Sequence, residues 1–498
     1  MTTMKRTLLV TLLAACMWSC ATARADWKTE EEHWYIVEIA GTRAGSMSTM
    51  LLRDGSKIRT ATHMRMTLSR GDVSTTIRIA SAFEETADGR PLLITSMQDM
   101  GQQPVVSEWR FLDDDIVVHT SRQGGREIVR ETEAPEGEWL TPMGVHRLWL
   151  KSLAAGDREI TYFTVDGQTG LEPVEMTHKF IEDSVYEIDG RETPVSVWKT
   201  STSLMPITGI EYYTAEGLKV YEEVSMPGLG KMVTRIATKA EAQGDGVAAG
   251  PEILIKTFVE PDRPIRDVGR ATTATFRLRV DLGEMPELPS AAAQRVTPGD
   301  DGASATLVID INDSLVAPDT EVGDASYLAS SAMVDAGDPL IGKLAARAVR
   351  DAGDDALARA DAMRAAVHRY ITGKGLDTAF ATASETARTR SGDCSEHAVL
   401  LCAMLRAQGI PARVAVGLVY ADAFLGREAI FGWHMWTQAL IDDRWVDLDA
   451  TLRSRYHAGH VLTAVSSLDQ GGVDTALAST LPLMGNLQIE VVDVGYVE

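Results

Sequence analysis

The sequence predicts a multidomain chain in which a β-rich N-terminal region precedes a C-terminal α+β domain. Residues 27 to about 242 run as strand after strand, split by turn signals such as "RDGS", "ADGR" and "IDGR". From about residue 318 apolar residues recur at three- and four-residue spacing, the mark of helices. Strand-like runs return from residue 413, so helices come first and an antiparallel sheet afterwards. At 498 residues the chain is also too long for one ordinary core.

The N-terminus reads as an export segment. Lys5 and Arg6 precede the apolar run "TLLVTLLAACMWSC", and Ala23 and Ala25 then give an A-x-A cleavage site before Asp26. "LAAC" at 13–16 resembles a bacterial lipoprotein box, which would make Cys16 a lipidated first residue. Both expectations stand: a signal peptide over 1–25, or a lipoprotein signal ending before Cys16. The run is too short for a permanent membrane helix. Membrane contact is expected only through a lipid on Cys16, and the mature chain is expected in the periplasm or cell envelope.

The first folded region is expected over 26–242. Its strands include "HWYIVEI", "STMLLR", "STTIRIA", "EWRFL", "DIVVHTS", "ITYFTV" and "VSVWKTS", with one helical interlude, "TPMGVHRLWLKSLAAGD". The stretch resembles the curved-sheet domains of bacterial envelope lipoproteins. The resemblance implies a scaffold, or a surface for a lipid, glycan or protein. "AEAQGDGVAAGP" (240–251) reads as a linker. A small β unit is expected over 252–317, from "ILIKTFVE", "ATFRLRVDL" and "ATLVIDI".

The last domain is expected over 318–498. "DPLIGKLAARAVRDAG" and "DALARADAMRAAVHRYITGKG" read as helices opened by Asp338 with Pro339 and by Asp354. A third helix follows Cys394. "RVAVGLVY", "HMWTQALID" and "RWVDLDA" then read as strands, and "LQIEVVDVGYV" as a last strand.

Charge narrows the partners. The formal net charge is −23, which repels nucleic acid and anionic membranes. Removing residues 1–25 deletes three positive charges and no negative one, taking −23 to −26. No nucleic-acid partner is expected, and no cofactor.

Two cysteines lie outside the export segment, Cys394 and Cys402. Eight residues apart on one helix, they are separated by roughly 12 Å of rise. A disulfide needs α-carbons within about 7 Å, so each thiol needs its own account. Cys394 follows Gly392 and Asp393 and opens the helix, where free N–H groups and the positive dipole end favour a thiolate and can hold an oxyanion. Cys402 sits two turns deeper among apolar neighbours and reads as core.

A thiol nucleophile needs a base, and the base an orienting group. His434 begins a predicted strand and Asp449 lies near the end of the next, with fourteen residues between them. A two-residue hairpin loop then points both side chains to one face, opposite or one pair offset. Trp436 and Trp445 are expected to flank the pair. Asp447 shares the parity of Asp449 and is the runner-up orienter.

These pieces form a family pattern. "GDCSEHAVLLCAMLRAQGIPARVAVGLVY" followed by "GWHMWTQALIDDRWVDLDAT" resembles the transglutaminase-like superfamily. The resemblance covers about 325–460. It implies a papain-like thiol fold with Cys394 as nucleophile, His434 as general base and acid, and Asp449 as orienter. Ala450 stands where the family usually has proline. The implied activity is attack on a peptide or protein amide through an acyl-thioenzyme. Hydrolysis is preferred, with glutamine–lysine crosslinking as the alternative. A non-catalytic envelope scaffold is the alternative of another class.

The remaining candidates have blander readings. A zinc site from Cys394, His397 and His434 lacks the four N/S ligands of a structural site, so no metal is expected. His397 reads as a hydrogen-bonded helix residue and Glu396 as first-turn dipole compensation. His457 and His460 read as surface residues of a polar loop. Arg413 reads as a structural ion pair, and Trp433 as either packing or pocket wall.

Overall fold

The computed structural model describes residues 26–496, apart from 72, 100–103, 113–115, 124–125, 205–207, 227–229, 245–249, 253, 377–380 and 469–479. The expected export segment, with Cys16, Cys20, Ala23 and Ala25, lies outside the described residues. No helix among the described residues is long and apolar enough to cross a membrane.

The strand-rich N-terminal region is one 14-stranded antiparallel sheet. Sequential strands pair with each other, and the first (Lys28–Ile39) also pairs with the last (Gly230–Ala237). The free edges are therefore Arg126–Glu133 and Glu159–Val165. The helix Pro142–Ala155 connects them, and just before it the Leu140 N–H donates to the Phe163 carbonyl at 2.8 Å. That contact ties the segment entering the helix to the second edge strand. Trp149 of the helix stacks on Tyr213 at 4.2 Å between ring centres and anchors the helix to the sheet.

The predicted linker is partly ordered: Lys239–Gln243 forms a short helix held by a Thr238–Glu241 capping box. "ILIKTFVE" forms no strand. The Glu252 carboxylate accepts from the Ile255 N–H at 2.9 Å and a 3₁₀ turn follows over Ile255–Thr257.

The small β unit is a four-stranded sheet in the order Gln294–Pro298, Ser304–Asp310, Ala271–Val280, Leu487–Tyr496. The C-terminal strand thus joins this sheet and not the one beside the helices. Phe276, Leu278, Leu307 and Ile309 from its core pack with Leu418, Tyr420 and Phe431 of the next sheet, so the two units share an apolar layer.

Among the described residues the α+β region has four helices, Pro339–Ala348, Ala356–Tyr370, Ala383–Thr389 and Cys394–Ala407. Asp338 caps the first as expected, whereas Asp355, not Asp354, caps the second. The sheet runs Arg444–Leu448, Arg427–Ile441, Ala412–Phe424, His460–Ser466. The Cys394 helix is central: residues 395–406 are all buried, against the sheet on one side and the three other helices around it. Burial on all sides explains why its apolar stripe is broader than an amphipathic surface helix needs. Gly409, at φ 76°, ends it in the left-handed conformation.

Candidate active site

The turn before Cys394 is shaped by its sequence. Gly392 has φ 150°, and a Cβ there would lie 2.3 Å from the Glu396 Cβ. Only glycine fits. Asp393 then caps the helix, accepting from the Ser395 N–H at 2.9 Å and the Ser395 hydroxyl at 2.8 Å. Glu396 closes the capping box by accepting from the Asp393 N–H at 2.8 Å, and its other oxygen accepts from the Ala381 N–H at 2.8 Å. The fully buried Glu396 is more than dipole compensation, because it ties two loops to the helix start. Burial, with Asp393 adding to it, pushes its carboxyl up to about 7.

The His434 strand is placed by a hairpin. Ile441 pairs with Arg444, leaving Asp442 and Asp443 as a two-residue loop with φ 50° and 57°. Two positive φ angles make this a type I′ turn, whose twist suits a hairpin. The register continues through Gln438 opposite Asp447, so Asp449 lands one pair offset from His434, on the same face. His434 Nε2 donates to Asp449 Oδ2 at 2.7 Å. Opposite His434 sits Gly417, where a Cβ would lie 1.9 Å from the Val461 carbonyl oxygen. That glycine lets the outer strand crowd in behind the histidine.

Asp449 is fully buried and fully satisfied. Its Oδ1 accepts from the N–H groups of Thr451 at 2.7 Å and Leu452 at 3.2 Å. Its Oδ2 takes His434 and also His460 Nε2 at 3.1 Å. Burial alone would raise its pKa, but the charges and hydrogen bonds of His434 and His460 hold it well below the carboxylate range.

With His434 Nε2 committed to the carboxylate, Nδ1 is left for the Cys394 sulfur, which lies close enough for thiol and ring to shift one another. Burial opposes a charge on His434, yet Asp449 and then the sulfur outweigh it and push the imidazole up to about 10. The thiol differs from the sequence expectation. Burial and the Asp393 charge push Cys394 up, while His434 and the Met435 backbone N–H pull it down without overturning them. A helix N-terminus favours a thiolate, but depth of burial is invisible in the spacing.

Cys394, His434 and Asp449 are therefore brought together as a continuous chain. The runner-up is not: Asp447 Oδ1 accepts from Trp436 Nε1 and Gln438 Nε2, both at 2.8 Å. Trp436 flanks His434 with ring centres 6.2 Å apart. Trp445 does not. It shares the face but lies four residues from Asp449, about 13 Å along a strand, and donates to Glu321 Oε2 at 2.6 Å while Arg413 sits 4.0 Å over its ring. Arg413 is buried and pairs with Glu321 at 2.8 Å, and Cys402 is fully buried. Trp433 packs into the layer shared with the small β unit.

The largest correction concerns His457 and His460. Both are buried, at 2% and 0% exposure. The loop turns back so that His460 opens a strand paired with Val419, which sets its ring beneath Asp449. The cost of burial is met by partners: His460 Nδ1 donates to the His457 carbonyl at 2.9 Å, and the Tyr456 ring packs against it, tilted, at 4.3 Å between centres. Burial, then the His460 charge, pushes His457 down to about 3. His434, Asp449 and His460 are the set whose ligand atoms converge within 4.8 Å among the described residues. Those atoms already hydrogen-bond one another, and Cys394 and His397 are not part of the set. His397 Nδ1 donates to the Asp393 carbonyl at 2.6 Å, which leaves Nε2 as a buried bare acceptor, and burial pushes the ring down to about 4.

Residues 342–450 match the model of the transglutaminase-like superfamily. The C-terminal helix-plus-sheet region carries a transglutaminase-like domain. No curated protein sequence matches the chain. Among solved structures, the beta-barrel-like protein of a domain of unknown function from Brucella abortus is similar at 12% identity and TM-score 0.33, covering 42% of this chain and 95% of that one. A structure from Cytophaga hutchinsonii named "Putative Cysteine Protease" is similar at 17% identity and TM-score 0.29, covering 46% of this chain and 88% of that one. The periplasmic domain of TgpA from Pseudomonas aeruginosa, bound to ethylmercury, is similar at 16% identity and TM-score 0.22, covering 37% of this chain and 92% of that one.

Proposed function

We propose that the protein is an exported thiol enzyme that cleaves a peptide or protein amide through an acyl-thioenzyme. The observation that carries this reading is the meeting of Cys394, first residue of a buried helix, with His434, whose Nε2 donates to the buried Asp449 at 2.7 Å. Proton transfer from the sulfur to His434 is cheap because Asp449 already supports the imidazolium. The sulfur attacks the amide carbonyl, and the Cys394 backbone N–H, first in its helix, faces the developing oxyanion. His434 then protonates the leaving amine, and the C–N bond breaks. Water, activated by His434, releases the acid and restores the thiol. Water is the preferred acceptor because the sequence carries no mark of an amine site, and an amine would give crosslinking by the same steps.

The test is capture of the intermediate. Iodoacetamide near neutral pH is expected to label Cys394 well before Cys402, read by peptide mass spectrometry. Equal rates would remove the nucleophile. A glutamine-containing peptide offered with and without a labelled amine separates the outcomes: free acid marks hydrolysis, incorporated amine marks transfer. The export reading makes its own prediction. Intact mass of the mature chain is expected to begin at Asp26 or at a lipidated Cys16, and a chain retaining Met1 in the cell envelope fraction would contradict it.

A further inference from the structure

Asp449 holds a second imidazole that takes no part in the proton transfers. His460 is fully buried, and both its ring nitrogens face acceptors. Nε2 lies 3.1 Å from Asp449 Oδ2, and Nδ1 lies 2.9 Å from the His457 carbonyl. The His457 N–H approaches Nδ1 only to 3.5 Å, so the carbonyl sets the role of that nitrogen. A carbonyl and a carboxylate only accept, so each nitrogen donates. Trp436 and Tyr456 wall the ring at 5.2 and 4.3 Å between centres, and His434 lies 5.8 Å away across the shared carboxylate. The titratable groups facing it are Asp449, His434, His457, Tyr456 and, beyond Trp436, Asp447.

The small β unit braces the strand that carries this ring. Gln294, 1% exposed at the edge of that unit, grips both backbone groups of Leu462, two residues after His460. Its Nε2 donates to the Leu462 carbonyl and its Oε1 accepts from the Leu462 N–H, both at 2.9 Å. The amide thus stands in for a neighbouring strand on the outer edge of His460–Ser466. Before His460, the Ala458 N–H donates to the Ala271 carbonyl at 3.0 Å, and the Gly459 carbonyl accepts from the Tyr420 N–H at 2.9 Å. The histidine is therefore fixed on both flanks. Gln294 and Ala271 lie outside residues 342–450, so part of the brace comes from beyond the family match.

We propose that His460 is a positioning residue of the reaction, holding Asp449 Oδ2 in place for His434, and that Gln294 of the small β unit braces it there. The inference rests on Cys394 as nucleophile with His434 as its base. His434 takes up and gives back a proton twice in each turnover, and its bond to Asp449 changes strength each time. Oδ1 is pinned by the Thr451 and Leu452 N–H groups, but Oδ2 would otherwise have His434 alone. A donor outside the proton transfers keeps Oδ2 fixed through the cycle. It also keeps the carboxylate ionised, because burial works against the charge and His460 is one of the groups opposing burial.

The test reads iodoacetamide alkylation of Cys394 against pH on the full chain, in the wild type and in His460→Leu, His460→Gln and Gln294→Leu. A glutamine amide nitrogen can donate where Nε2 did, without an imidazole. In His460→Leu the rate near neutral pH is expected to fall about tenfold, the size of one hydrogen bond to a charged group. The acid limb of the profile is expected to move to higher pH, because Asp449 loses a group that depresses it and takes up its proton earlier as pH falls. His460→Gln is expected to restore most of both. Gln294→Leu is expected to lose less, and to cause no further loss in the His460→Leu background. Slow labelling of Cys402 reports that each variant is folded, and a loosened fold alone leaves the acid limb where it is. A rate and limb unchanged in His460→Leu and Gln294→Leu, with Cys402 protected, overturn the positioning role and leave the nucleophile standing. A His460→Gln variant no better than His460→Leu overturns it too. If His460→Leu does not fold, Gln294→Leu alone decides, and an unchanged profile there is again fatal to the proposal. If the wild type shows no preference for Cys394 over Cys402, the nucleophile falls and the positioning role with it.

Discussion

Replacing Asp449 with asparagine is expected to lower turnover by about 10,000-fold with little change in KM. Asp449 Oδ2 accepts from two imidazoles at once, His434 at 2.7 Å and His460 at 3.1 Å. An amide has one acceptor oxygen where the carboxylate has two. In the variant, Oδ1 must still serve the Thr451 and Leu452 N–H groups, so the NH₂ would face the rings. His434 would then have to present a bare Nε2 and move its hydrogen to Nδ1, toward the sulfur. A base in that tautomer cannot take the thiol proton. Asp449 is fully buried and out of a substrate's reach, which is why kcat and not KM is expected to carry the loss. Equal losses in both would instead mean that the rings collapse into the substrate cleft.

The same variant makes a prediction about stability. His434 is raised from 6.5 to about 10 in the folded protein. Its contribution is fully present below pH 6.5 and is lost as pH rises through about 10. Asp449 is depressed below its ordinary value of 3.8, so its contribution is present above that pH and lost as pH falls. Both groups are buried, and removing one partner of such a pair costs about 3–5 kcal/mol. The gap between wild type and Asp449→Asn in thermal unfolding is expected to be widest between roughly pH 4 and 6.5, to close as pH rises toward 10, and to narrow progressively as pH falls below 3.8. A gap independent of pH would show that the ion pair does not contribute as charge.

The triad was legible in the sequence because each member is bound to a local rule. Gly392 and Asp393 announce a helix start. Asp442 and Asp443 supply the two positive φ angles of a tight hairpin, and period-2 alternation then fixes the face of Asp449. His460 obeys no such rule. "RSRYHAGH" is polar and reads as surface, and only the return of the chain to pair with Val419 drives it inward. Its neighbour Gly459 and the intervening Ala458 were the available hint, since small residues mark close packing. Trp445 failed for a different reason. Parity gave the right face but not the distance along it. The C-terminal strand was legible as a strand, but its partner across more than two hundred residues, Ala271–Val280, was not. Long-range pairing is set by which apolar faces meet, and short windows carry no record of that.

Gly392→Ala is expected to be the most damaging single-methyl change near the site. Residue 392 sits at φ 150°, a region that side chains rarely adopt, and the new Cβ would meet Glu396 Cβ at 2.3 Å and Cγ at 2.4 Å. Glu396 cannot swing away without cost, because its two oxygens hold the Asp393 and Ala381 N–H groups and the side chain is fully buried. Freeing them would leave two buried donors unpaired, each worth about 1–3 kcal/mol. The strained backbone adds about 1–3 kcal/mol. Relief can come only by shifting the turn, and Cys394 is the second residue along. A shift of about 1 Å at a reacting atom is enough to cost 100-fold in rate. The variant is therefore expected to unfold at lower denaturant concentration and, where still folded, to alkylate Cys394 with an altered rate while Cys402 stays protected. Glu396→Gly in the same background removes both the Cβ and the Cγ that the new methyl would meet, and is expected to return part of the lost reactivity. If the double variant is no better than Gly392→Ala, the glycine is required for its backbone conformation and not for the room it leaves Glu396.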